Sequence, residues 1–298
     1  MLEEKKSLLL GLLAVVFWST VATAFKIALK FVTPTQLLVF ASISSATILF
    51  AIILFQGKLI DLAFLSKKDW LISLLIGFLN PFLYYLVLFK AYSLLPAQEA
   101  LSLNYTWAIV LTILSSIFQK KRITFLSYFA LIISFFGVLV IISKGSIVTL
   151  KPSNSLGAIL ALSSSLIWGT SWILNILSNV KDLLRMFLNF LFGSVFGLFF
   201  LLYSESFSFP NYHSFLPILY IGAFEMGLTF LIWNKALKLS SNPARINNLI
   251  YLSPVLSFVF ISLILKETIY ISSIVGLFLI ISGIFLQNIT LLGNRKNK

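Results

Sequence analysis

"SSSLIWGTSWILN" fills residues 163–175 and "VVFWSTVATAFKI" residues 15–27, and each sets a tryptophan two places before a threonine within a long apolar run. Trp18/Thr20 and Trp168/Thr170 stand 150 residues apart. Two more echoes share nearly that offset. "FKAYSLLP" at 89–96 resembles "NKALKLSS" at 234–241, 145 residues on, and "ALIISFFG" at 130–137 matches "GLFLIISG" at 276–283, 146 residues on. The chain therefore reads as one unit written twice, 1–146 and 147–298.

Composition says what kind of unit. Of the 298 residues, 59% are hydrophobic and 10% charged, and the mean hydropathy is +1.03. A soluble chain keeps about a quarter of its residues charged, because its surface faces water. This chain cannot cover such a surface. Its apolar runs have the length of about 20 residues that a helix needs to cross a hydrocarbon core. They predict an all-α polytopic membrane protein with ten spans: 7–29, 36–56, 70–91, 97–118, 123–143, 155–177, 183–203, 214–236, 244–265 and 270–292. The first span resembles a signal peptide, with Lys5 and Lys6 ahead of an apolar run and Ala22-Thr23-Ala24 behind it. It stays apolar through Leu29 and echoes an internal span, so it is read as retained.

Five spans per copy is an odd number, so the second copy enters the membrane upside down. The charges agree. With the N-terminus on one side, Lys5, Lys6, Lys58, Lys67, Lys68, Lys120, Lys121, Arg122, Lys181, Arg185, Lys235, Lys238, Arg245, Arg295, Lys296 and Lys298 join it there. Lys26, Lys30, Lys90, Lys144, Lys151 and Lys266 fall on the other side. That asymmetry predicts cytoplasmic termini, in the plasma membrane. It also explains the net charge of +13 without nucleic acid, because the basic residues sit between spans. The chain has no cysteine, hence no disulfide and no thiolate metal site. No cofactor is expected. The expected partners are the lipid bilayer and a small-molecule substrate, with protons and a second copy of the chain left open.

Ten helices in two halves, with "FWST" at 17–20, "IWGT" at 167–170 and "YLSPVLSFVFISLILKET" at 251–268, resemble the drug/metabolite transporter superfamily, specifically its EamA-type members. The first half departs from the pattern: Trp107 stands where the second half has Pro254, and "QKKR" at 119–122 ends its run without an acid. The resemblance implies a secondary carrier that uses no ATP and exports amino acids or related metabolites. Inverted copies suit that role, since two units of opposite orientation can open a shared site to each side in turn.

Polar groups in hydrocarbon are costly and turn toward partners or a wet cavity. Trp168, Ser171, Trp172 and Asn175 recur at i, i+3, i+4 and i+7, one helix face, expected to line a substrate pathway. Interfacial anchoring of the tryptophans and tight Ser/Gly packing are the competing reading. Trp18 begins the comparable stripe in the first span. Glu225, about halfway along the eighth span, is the most informative residue, since centring an acid there costs on the order of 2.5 kcal/mol or more. It is expected to bind a proton or a substrate amine, with Thr229 one turn on and Asn80 as its counterpart in the first copy. Tyr84, Asn104, Asn247 and Tyr251 complete the candidate substrate-binding set. Pro81 and Pro254 deprive the carbonyls of Gly77 and Ile250 of their helical donors. Glu99 reads as a cap or a partner of Lys90, Gly193 and Gly197 as a close helix contact, and His213 as an exposed loop residue.

A rival reading is a membrane-embedded enzyme acting on a lipid or prenyl substrate. Such chemistry asks for clustered carboxylates holding magnesium, or a nucleophile with its base. The nine acids are scattered and the single histidine lies in a connection. No catalytic set and no "GxxxxGK" loop is found, so the carrier is preferred.

Overall fold

The structure, a computed structural model, describes residues 2–118, 125–143 and 152–296. The basic run Lys120, Lys121, Arg122 and the lysines 144, 151 and 298 of the charge count lie outside the described residues. Those described form ten long helical segments, as the apolar runs require, and a short 3-10 turn at Leu59–Leu62. A backbone with no water to bond must satisfy its own polar groups, and a helix does so within one segment.

Six segments are continuous in the chain order that follows: α1 (Leu2–Ala28), α2 (Pro34–Phe55), α5 (Phe125–Ser143), α6 (Ser155–Leu177), α7 (Asp182–Ser204) and α10 (Ile271–Lys296). The other four, α3 (67–94), α4 (97–118), α8 (212–239) and α9 (243–265), are interrupted. Local chemistry sets several starts. Thr33 caps α2 with Gln36 returning the bond, Ser66 and Asp69 do the same for α3, and Asn211 caps α8 through the amide of Ser214.

The interruptions come in pairs, apart from a further π segment at Ile261–Leu265 of α9. α3 opens into a π segment at Phe78–Leu83, with Asn80 in extended geometry (φ −147, ψ 112) and a cis Asn80–Pro81 bond. α8 opens into a π segment at Ile221–Glu225 and turns at Met226 and Gly227 before Leu228–Leu239 resumes. Asn80 and Glu225 differ by 145 residues. α4 is broken at Tyr105 and Thr106, between Ala97–Asn104 and Trp107–Phe118, and α9 narrows to a 3-10 turn at Leu249–Tyr251. Tyr105 and Ile250 also differ by 145. Both copies thus break the same two helices at matching places.

Their opposite orientation is visible in side-chain contacts. Along α2, Leu38 and Val39 meet Gly197 of α7, whereas Phe50 meets Phe187, with ring centroids 5.5 Å apart. The two helices, second in each copy, run antiparallel. So do the fifth helices, α5 and α10. The Gly137 position abuts Gly276 and Ile280, while that of Gly283 abuts Ala130 and Ser134. Since 130 and 276, like 137 and 283, are 146 apart, this is one contact made twice.

The helices gather into two compact units, each drawing on both copies: Met1–Phe89 with Leu177–Lys266, and Lys90–Ile176 with Glu267–Lys298. In the first, α8 lies on α1 and α2, and α3 on α7. The GxxxG of α7 serves two partners, Gly193 facing Pro81 and Gly77 of α3 and Gly197 facing α2. In the second, α4 is fastened at its start. Glu267 accepts from the Ala97 amide at 3.0 and 3.1 Å, Gln98 holds the Thr268 carbonyl and the Tyr270 amide, and Glu99 takes both the amide and the hydroxyl of Ser153. Glu99 is 2% exposed. Its partner is therefore the connection before α6 and not Lys90, since a carboxylate so deeply buried needs fixed donors.

Candidate functional site

The break in α8 brings the most polar chemistry into the first unit. Gly222 makes it geometrically available. The Cβ it lacks would press on the Ala41 carbonyl and Ser44 of α2, so glycine lets the two backbones touch three residues before Glu225. Gly77 seats α3 on the Asn189 carbonyl and Phe192 of α7 in the same manner, three residues before Asn80. Gly77 and Gly222 are themselves 145 apart. Each copy thus clamps a helix by glycine and then breaks it.

Past the break in α3, the Tyr85 hydroxyl donates to Glu225 Oε1 at 3.1 Å. Tyr85 is 3% exposed, Glu225 half-buried. Tyr84 stands edge-on to Tyr85 with ring centroids 4.7 Å apart, and Tyr85 leans on Phe89, which meets Phe25 of α1. A carboxyl that accepts from a buried phenol can exchange that bond for a proton or a cationic group. Tyr84 is the tyrosine that the sequence offers as a candidate in this helix. A π segment spends an extra residue per turn, so the residue that reaches Glu225 is one further on. Tyr85 carried no signal of its own in the sequence.

The remaining candidates fall in place unit by unit. In the first unit, Trp18 is half-buried against Phe230 and Trp233 of α8, at 5.2 and 5.3 Å, and Thr20 pairs with the Tyr220 hydroxyl. Thr229 is fully buried, Tyr251 half-buried and Asn247 exposed. In the second unit, Trp107 and Trp168 lie 4.6 Å apart and Trp168 stacks on Trp172 at 5.1 Å, with Trp172 37% exposed. Ser171 donates to the Trp168 carbonyl and Asn175 to the Ser171 carbonyl, so these two polar groups satisfy their own helix.

Ser164 and Ser165 have a different employment. Ser165 donates to the Asn104 carbonyl at 3.1 Å and pairs with the Thr106 hydroxyl at 2.8 Å, while Asn104 donates to Ser164 at 2.9 Å. They hold the broken part of α4, where a helix has given up its own bonds. Half of the stretch at 163–175 is thus a splint and half an aromatic stripe.

The chain belongs to the EamA-like transporter family, whose profile matches it twice, over residues 5–143 and 155–289. It is similar to the uncharacterized transporter YoaV of Bacillus subtilis (strain 168), 26% identical over 292 residues that make up 95% of this chain and 97% of that one. The uncharacterized transporter YvbV of the same organism is 27% identical over 226 residues, 74% of this chain and 73% of its own. A solved crystal structure covers 99% of each chain with a TM-score of 0.68 at 19% identity, a likeness of fold.

Proposed function

We propose that the protein is a secondary transporter that exports a small organic metabolite, an amino acid in the leading reading, by alternating access. One observation carries this: helices equivalent in the two oppositely oriented copies break at matching places, and one break holds an acid bonded to a tyrosine. Broken helices in inverted repeats are where carriers place substrate and ion groups, because freed backbone and polar side chains can face a cavity there. An ionisable residue within a membrane helix is retained for such a task, given what it costs. Glu225 is the group that takes a proton or the substrate's amine, and Trp18, in the same unit, offers an aromatic face to apolar parts of the cargo. Membership in a transporter family supports the reading, and the charge bias supports cytoplasmic termini in the plasma membrane.

The test is counterflow. Vesicles of purified protein, loaded with one unlabelled amino acid, nucleoside or sugar at a time, are presented with the labelled compound. Accumulation with an amino acid and not with sugars is the expected result. Conversion of the label to a new compound would replace the carrier with an enzyme, and exchange of sugars alone would change the cargo class.

A further inference from the structure

The connection between α2 and α3, residues 56–66, turns apolar side chains outward beyond the helix that precedes it. Gly57 ends α2 in the left-handed region (φ 64), its amide on the Leu54 carbonyl and the Lys58 amide on that of Ile53. The 3-10 turn Leu59–Leu62 follows, and Asp61 pairs there with Lys181, ahead of α7, at 2.9 Å. Set in this way, the segment leaves Ile60 62% and Phe64 80% exposed. An ordered connection with such side chains on its outside marks an interaction surface.

The second copy repeats the feature at the opposite end of the same unit, since α2 and α7 run antiparallel. The caps Ser66 of α3 and Asn211 of α8 are 145 residues apart. Two residues before each cap stands a phenylalanine, Phe64 and Phe209, each 80% exposed. The residues after the caps differ. The first copy has Lys67 and Lys68, the second Tyr212 and His213, all exposed. Lys58, also exposed, adds a third positive charge to the first connection and donates to the neutral Gln56 side chain. None of these three lysines forms an ion pair among the described residues. The acids of the segment have other partners, Asp61 in Lys181 and Asp69 in the amide and hydroxyl of Ser66. Lysines in a first turn do not serve their own helix either, because they crowd its positive end.

We infer that residues 58–68 form a docking surface for anionic phospholipid in the leaflet at that end of the unit. Ile60 and Phe64 enter the boundary of the acyl chains, and Lys58, Lys67 and Lys68 meet the net negative charge of the headgroups. Charge complementarity selects this occupant, because basic residues beside exposed apolar ones match a surface that is negative above and apolar below. At the other end Phe209 and Tyr212 anchor in the interface with no preference for headgroup charge, as aromatic side chains do. The lipid preference follows from the spans and this surface, and it stands whether or not the transporter reading does.

The chain has no cysteine, so Ala63→Cys, at an exposed position beside Phe64, carries a single bimane label. The full protein is placed in vesicles of mixed phosphatidylglycerol and phosphatidylcholine, with bromine on the acyl chains of one lipid or the other. Quenching should report phosphatidylglycerol enriched beside the label by at least about fivefold, the worth of one lysine at an anionic surface. Lys67→Gln with Lys68→Gln should bring that ratio close to unity. Lys5→Gln with Lys6→Gln, which removes the same charge from exposed positions at the same end, should leave it high. A label at the exposed Ser206→Cys, in the second connection, should be quenched by both lipids alike. An unquenched label at Ala63→Cys, a ratio near unity there, the same preference at Ser206→Cys, or equal loss in the two double variants overturns the surface.

Discussion

The breaks in α3 and α8 are the same architectural event with different chemistry. Each follows a glycine laid on a neighbouring backbone, Gly77 on α7 and Gly222 on α2. Each opens a π segment. After that they part. The first copy fills its break with Asn80 and the ring of Pro81, which needs Gly193 opposite to fit. The second places Glu225 and Gly227 there, leaving a carboxyl that accepts from Tyr85. A duplicated scaffold has kept its mechanics in both halves and concentrated its ionisable chemistry in one.

If that division holds, Glu225→Gln should lower transport by on the order of tenfold or more in counterflow, the worth of one charged contact, whereas Asn80→Ala should cost much less. Equal losses would mean the breaks share the chemistry. Next in size come the clamps. Gly222→Ala and Gly193→Ala, where a methyl meets backbone or a proline ring, should each lose about 1–3 kcal/mol of stability in thermal unfolding. Gly197→Ala faces the tip of Val39 at 3.2 Å and should lose under about 1 kcal/mol. A neutral Gly222→Ala would detach the α8 break from α2.

The tyrosines sharpen the comparison further. Tyr85→Phe deletes the hydroxyl that meets Glu225 and should slow exchange roughly 3- to 10-fold, equivalent to about 0.6–1.4 kcal/mol. Tyr84→Phe should leave exchange within a factor of about two, since the face past the π segment belongs to Tyr85. The reverse order would restore plain helical counting through α3. Smallest is Ser165→Ala, which frees the Asn104 carbonyl in the break of α4. It should cost about 0.6 kcal/mol in thermal unfolding, typical of a hydrogen bond between membrane helices.

Much of this was legible beforehand. Trp18/Trp168, the 145-residue echo of 89–96 and the Gly137/Gly283 match carried the repeat, and an odd span count carried its inversion. Glu225 stood out because an acid in apolar sequence is costly wherever it packs. The rest depended on things the sequence does not display. Glu99 found Ser153 and not Lys90, because burial made fixed donors decisive. Ser164 and Ser165 turned to the broken α4, a demand arising on another helix 60 residues away.

What the chain's letters settled unaided was a ten-helix, twice-written membrane protein with one costly acid. Hydropathy, charge bias and repetition add up along the chain and need no partner to be read. What only the folded protein decided was which side chains meet: Tyr85 with Glu225, Ser165 with Thr106, Pro81 with Gly193. One extra residue in a π turn rotates everything beyond it by about 100°, and no counting along an ideal helix foresees where that turn will fall.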